Sequence, residues 1–152
     1  MKIRHEGRLL AVQFLFQRDF NTGDLDPALA LFWKAFPERA PQGEARRFAE
    51  ELIRGVEANR TELDRRLRLY ADHWDVSRMS AVDRNVMRVA LYEMLKRGDI
   101  PPVVSIDEGV ELAKSFGGAA AGRFVNGILD RARRDLPRPA RSPIVGAGKE
   151  EG

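Results

Sequence analysis

Apolar positions recur along the chain at steps of three and four, the spacing of one face of an α-helix. The first run spans about Ile3 to Phe20 and is apolar almost all round in its middle, LLAVQFLF, which predicts a central helix. Asn21–Asp24 reads as a turn, and Asp26-Pro27 as the N-cap and first-turn proline of a second helix that buries Leu29, Phe32, Trp33 and Phe36. After a loop over 37–43, a third helix, about Glu44 to Ala58, carries Phe48, Leu52 and Val56 on one stripe. Thr61 with Asp64 resembles a capping box for a fourth helix, whose stripe is Leu63, Leu67, Tyr70 and Trp74. Ser80 with Asp83 repeats that pattern before a fifth, Ala81 to Lys96, apolar on most sides and therefore also central, with Gly98 at its C′ position. Ser105 with Glu108 is a full capping box for a sixth helix, closed near Phe116 by Gly117-Gly118, and a seventh runs from near Ala120 to Asp135. Val103-Val104 is the one strand-like pair and is too short to form a sheet.

The last helix contains a local conflict. Asn-Gly is the strongest short hairpin signal, yet in RFVNGILD the apolar residues Phe124, Val125, Ile128, Leu129 and Ala132 share one helical face. A hairpin is rejected because both flanks are helical. Gly127 is expected to let a neighbouring helix approach closely, offsetting a propensity cost of about 1 kcal/mol, and Asn126 to bond nearby backbone.

The chain of 152 residues reads as one domain, residues 1–136, followed by a proline- and glycine-rich tail, 137–152, expected to be disordered. Lys2 and Arg4 ahead of an apolar run loosely mimic a signal peptide, but Gln13 interrupts the run and no small-x-small cleavage site follows. No stretch approaches the roughly 20 apolar residues of a membrane span. The absence of cysteine excludes disulfides, thiolate metal sites and a cysteine nucleophile, and fits a cytoplasmic protein. The net charge is only +3, although 21 of the 26 basic residues are arginine, which binds phosphate bidentately.

Enzyme signatures are missing. Gly117-Gly118 lacks both the Lys-Ser/Thr and the preceding strand of a phosphate loop. His5 and His73 have no metal-ligand spacing, and the adjacent acids Asp107 and Glu108 do not face each other on a helix. Three groups instead suit an anion or a nucleobase. Arg4 and Arg8 share a face at a helix N-terminus, with Lys2 and His5 beside them, where cations oppose the dipole unless an anion binds. Arg84 and Arg88 form a second i,i+4 pair near Asp83, a carboxylate able to cap a helix or accept a base-edge N–H. Tyr70 could stack on a base or pack in the fourth helix's stripe.

At this point the sequence resembles a known family. RVALYE (88–93), the IP…V-x-I-x-E segment, ELAK (111–114) and FVNG (124–127), with RFAEELIRGVEANRTELD and AVQFLF upstream, are similar in order and content to the NusB family of bacterial transcription antitermination factors, over about residues 4–135. The resemblance implies an all-α, seven-helix bundle of two subdomains. It also implies boxA-type single-stranded RNA and the ribosomal protein NusE as partners, within an RNA polymerase antitermination complex, with no catalysis and no cofactor. Carried over residue by residue, the RNA surface would comprise Lys2, Arg4, His5 and Arg8, then Tyr70, Asp83, Arg88, Arg123 and Phe124. This chain departs from the family in having His5 and Glu6 within the N-terminal cluster, Phe16 where a tyrosine is common, and an apolar GGAAAG loop. Two other readings are a helical interaction module that keeps the protein partner but binds RNA weakly, and the NusB-like domain of a ribosomal RNA cytosine methyltransferase, which would need a further domain bearing catalytic cysteines.

Overall fold

The computed structural model describes residues 2–35, 43–72, 76 and 79–136. Among these the secondary structure is all helical: α1 (Lys2–Arg18), α2 (Leu25–Ala35), α3 (Glu44–Ala58), α4 (Arg60–Tyr70), α5 (Ala81–Lys96) and α6 (Pro102–Arg134). The expected burial of Phe36 and Trp74, the 37–43 loop up to Gly43, His73 and the 137–152 tail lie outside the described residues.

The core forms because α5 is apolar on nearly every side. Val86, Met87, Val89, Ala90, Leu91 and Met94 are all buried, and the helix packs against α1, α3, α4 and α6. α1 supplies Leu10, Ala11, Val12, Phe14 and Leu15, and lies along α3, which buries Phe48, Ala49, Leu52, Ile53 and Val56. α2 is held by edge-to-face contact of Phe32 with Phe14, centroids 5.4 Å apart, and by Trp33, whose indole N–H donates to Glu50 at 2.6 Å.

Three expected helix starts differ. α2 begins at Leu25, so Asp26 lies within its first turn rather than at its N-cap. α4 begins at Arg60 from Asn59, so Thr61 is already inside the helix, and Asp64 is drawn to Arg88 rather than to a cap. α6 begins at Pro102, whose fixed φ suits the first turn, so Val103 and Val104 are helical. Ser105 is consequently interior and buried, and its hydroxyl donates to Glu93 at 2.6 Å instead of capping. The Ser80 cap does form: its Oγ accepts from the Asp83 N–H at 3.0 Å.

Six helices are present among the described residues where seven were expected, and the difference lies at Gly118. That residue alone leaves helical geometry within α6, at φ 84° and ψ −174°, a region open essentially only to glycine. The chain there folds back. A Cβ on Gly109 would stand 3.3 Å from the Leu129 side chain, and Gly122 sits against Lys114 and Val110. Residues twenty apart in a straight helix would be about 30 Å apart, so α6 consists of two arms lying side by side.

The expected role of Gly127 is not found. It is exposed, with nothing within 4 Å of where a Cβ would be, because it lies on the outer face of the second arm. The close approach falls at Gly55 in α3, where a Cβ would overlap the Tyr92 ring. Gly127→Ala should therefore raise stability by about 1 kcal/mol, whereas Gly55→Ala should lower it by about 1–3 kcal/mol through overpacking. Urea denaturation of the two variants checks both signs.

Candidate nucleic-acid interface

The residues singled out from the sequence fall into three places. At the first, the start of α1 and the residue after α5 meet Phe48 of α3. The guanidinium carbons of Arg4, Arg8 and Arg97 lie 4.7, 5.3 and 5.5 Å from its ring centroid. Arg8 is buried and gives Nε and Nη2 to the two oxygens of fully buried Glu93, at 2.7 and 3.1 Å. Arg4 is part-exposed, 3.5 Å from Asp99. Asp99 is also gripped by Arg97 through two bonds of 3.0 Å, and those bonds hold its carboxyl below the usual range against the opposing effect of burial. His5 is exposed, its Nδ1 3.0 Å from Glu108. Lys2 is the first residue of α1, and its side chain lies outside the described set.

The second place is the end of α1. Asp19, only 5% exposed at its side chain, accepts from Arg60, from Arg84 Nη2 at 2.9 Å, from Arg88 Nη1 at 3.1 Å and from the Asn85 amide at 2.8 Å. Arg88 also donates Nε and Nη2 to Asp64 at 2.7 and 2.9 Å. Nearby, Tyr70 packs in the α4 stripe, and its hydroxyl donates to Asp135 at 2.7 Å, closing α4 on the end of α6. Direct RNA contact was expected of Arg8, Tyr70 and Arg88. All three are instead enclosed, with their polar atoms committed to other groups of the chain, because buried charge requires a partner.

The third place is an open groove of about 300 Å³ lined by Val12, Gln13, Phe16, Gln17, Phe32, Val82 and Phe116. Phe16 and Phe116 are 38% and 44% exposed, an unusual state for rings bordering a packed core. The reversal at Gly118 ends the first arm of α6 just past Phe116, and the Ser80 cap starts α5 just before Val82. Asp83 follows Val82; burial raises its carboxyl pKa, while its hydrogen bond with Ser80 opposes this. Arg123 lies beyond the reversal, exposed and without a partner among the described residues, and Phe124 is half-buried against the core.

The groove was not anticipated. Phe16 stood out only by its difference from a family tyrosine, and the apolar run around it pointed to burial. Phe116 was read as a helix end. A sequence signal did exist, since Phe16 and Phe20 lie four apart and pack edge to face at 5.3 Å, on a side of α1 left free by the stripe of Leu10, Phe14 and Leu15. No residue cluster suited to a metal ion is present among the described residues, and no helix there is long and apolar enough to cross a membrane.

The described residues form an all-helical unit with solvent-facing aromatic rings and exposed arginines. Known proteins supply the class. The sequence pattern of the NusB family matches residues 5–134, and the chain belongs to that family. It is 45% identical over 130 residues to the transcription antitermination protein NusB of Desulforapulum autotrophicum, covering 86% of this chain and 90% of that protein. It is 41% identical over 140 residues to that of Myxococcus xanthus, covering 91% and 100%. The T. maritima NusB structure superposes with a TM-score of 0.79 at 37% identity, over 90% of this chain and 95% of that one. A structure of antitermination factors NusB and NusE in complex with dsRNA superposes at 0.78 and 23% identity, over 90% and 99%, and shows the fold alone.

The Asp19 cluster yields a pH dependence with a definite sign. Burial raises the Asp19 pKa, but the bonds from Arg84 and Asn85 and the charges of Arg88 and Arg84 outweigh it, and the folded value lies below 3.8. The unfolded state therefore binds the proton more readily, and the stabilisation is complete above the unfolded value and lost as pH falls toward the folded one. Asp19→Ala should cost about 3–5 kcal/mol at neutral pH, since it strands buried guanidinium charge. Asp19→Asn should flatten the acid limb of a stability–pH curve measured by denaturant titration.

Proposed function

We propose that this protein is a non-catalytic transcription antitermination factor that binds boxA-type single-stranded RNA of ribosomal RNA operons together with the ribosomal protein NusE. It would act in the cytoplasm as part of an RNA polymerase antitermination complex and use no cofactor. Its relatives' names support the reading, and a solved assembly of the same fold holds NusB and NusE in complex with dsRNA. The observation in this chain that carries it is the Phe16–Phe116 groove. Exposed aromatic faces stack on nucleobases, and unpaired bases are what sequence-specific RNA recognition needs.

Within this reading residues 1–136 are the RNA-binding unit, and the two arms of α6 count as two helices of a seven-helix, two-subdomain architecture. Phe16 and Phe116 offer the stacking faces, and Asp83 accepts a base-edge N–H. Arg4, His5, Arg123 and Phe124 border the RNA path, with Lys2 ahead of them. Arg8, Arg88 and Tyr70 contribute from beneath, by fixing the helices that carry the exposed groups. One observation favours the second reading, an interaction module with weak RNA binding: Arg4 and Arg8 are already paired with carboxylates of the same chain.

Titration of a boxA-type RNA against a scrambled one, with and without the NusE-type partner, separates the two. The antitermination reading expects preference for boxA that strengthens with the partner, and a Phe16→Ala, Phe116→Ala double variant that loses about 30-fold affinity or more at unchanged fold, from about 1–3 kcal/mol per lost stack. Equal weak binding to both RNAs, with the partner still bound, would establish the interaction module.

A further inference from the structure

The carboxylates around the start of α1 are not equivalent. Glu93 is fully buried; Arg8 takes both of its oxygens and Ser105 donates to it, so its charge is required by the core. Asp99 is required by Arg97, to which it is doubly bonded. Glu108 carries no such obligation. It stands 3.0 Å from His5 Nδ1, which is 47% exposed, and 3.8 Å from Arg8 Nη1, whose charge Glu93 already balances. Its own side chain is 24% exposed, and these two are its partners among the described residues. Glu108 is thus a surplus anion at the solvent boundary, beside His5 and an Arg8 whose charge is already balanced.

We propose that Glu108 is a specificity-determining residue of the RNA-binding face: its uncompensated charge, beside His5 at the solvent boundary, subtracts sequence-independent attraction for phosphate. The inference rests on the RNA-binding reading above. Phosphate contacts supply affinity without sequence information, whereas base contacts supply discrimination. A fixed internal carboxylate lowers the first and leaves the second, so weakly matched RNA is released while matched RNA, held in the aromatic groove, stays. The same reasoning explains why a cationic cluster opposing the α1 dipole is tolerated in the free protein, since its countercharge is built in.

Glu108→Gln keeps the shape and the hydrogen bond to His5 while removing the charge. Glu111→Gln is the control. It makes the same change of net charge on the same helix, at a carboxylate that is 65% exposed and pairs with Lys114. In RNA titrations across a salt series, Glu108→Gln should bind scrambled RNA about 3–10-fold more tightly at low salt, with a steeper log–log salt slope, because one opposing charge is gone. Its affinity for boxA-type RNA should rise less, so the ratio between the two RNAs falls. Glu111→Gln should match the unchanged protein in slope and ratio. Glu108→Ser provides the same comparison if the Gln variant melts at a lower temperature. An unchanged slope and ratio, or weaker binding, at normal melting temperature overturns the proposal. Failure of the unchanged protein to bind any RNA overturns the reading beneath it as well.

Discussion

One carboxylate organises the half of the molecule that carries the groove. Asp19 sits one residue past the end of α1, where a negative charge is disfavoured by the helix dipole, and it is nearly enclosed. It persists because three guanidiniums and an amide converge on it from α4 and α5. Arg84 also donates to the carbonyls of Val76 and Met79, so the same cluster fixes the chain leading into α5. The Ser80 cap, Val82 and Asp83 are therefore set relative to Phe16 by one polar cluster rather than by apolar packing, which is less directional.

A second polar cluster, Arg8 with Glu93 and Ser105, performs the corresponding task at the other end of α1. Between the two, α1 contributes Leu10, Ala11, Val12, Phe14 and Leu15 to the core. Pinned at both ends to α5, it has little freedom to slide or rotate, and its outward rings keep a fixed position. Arginines that looked in the sequence like a binding surface thus serve largely as internal ties, and the exposed remainder is smaller than the composition suggests.

Legibility from sequence followed the range of the interaction. The spans of α3 and α5 were readable because stripe and cap are local patterns, and so was the Ser80 cap. The starts of α4 and α6 were misplaced because Asp64 and Ser105 had partners, Arg88 and Glu93, that no local pattern indicates. Gly127 was assigned a packing role that belongs to Gly55, since a glycine in a helix looks the same whichever side it faces. The groove was hidden for a related reason: exposure of Phe16 and Phe116 depends on where the reversal at Gly118 leaves the first arm of α6. Family resemblance supplied the partners, and the structure sorted their assigned residues into exposed and enclosed.

The separation in sequence between the partners of these ties also orders the assembly of the molecule in time. The two arms of α6 meet across about twenty residues, a closure that chain diffusion completes in well under a microsecond. Asp19 meets Arg60, Arg84, Asn85 and Arg88 only across 41 to 69 residues. On the ribosome, α1 can pack on α3 early, but the Asp19 cluster has to wait until α5 has emerged. The elements that shape the groove are therefore fixed relative to one another only after α5, and with it the partners of Asp19, has been made.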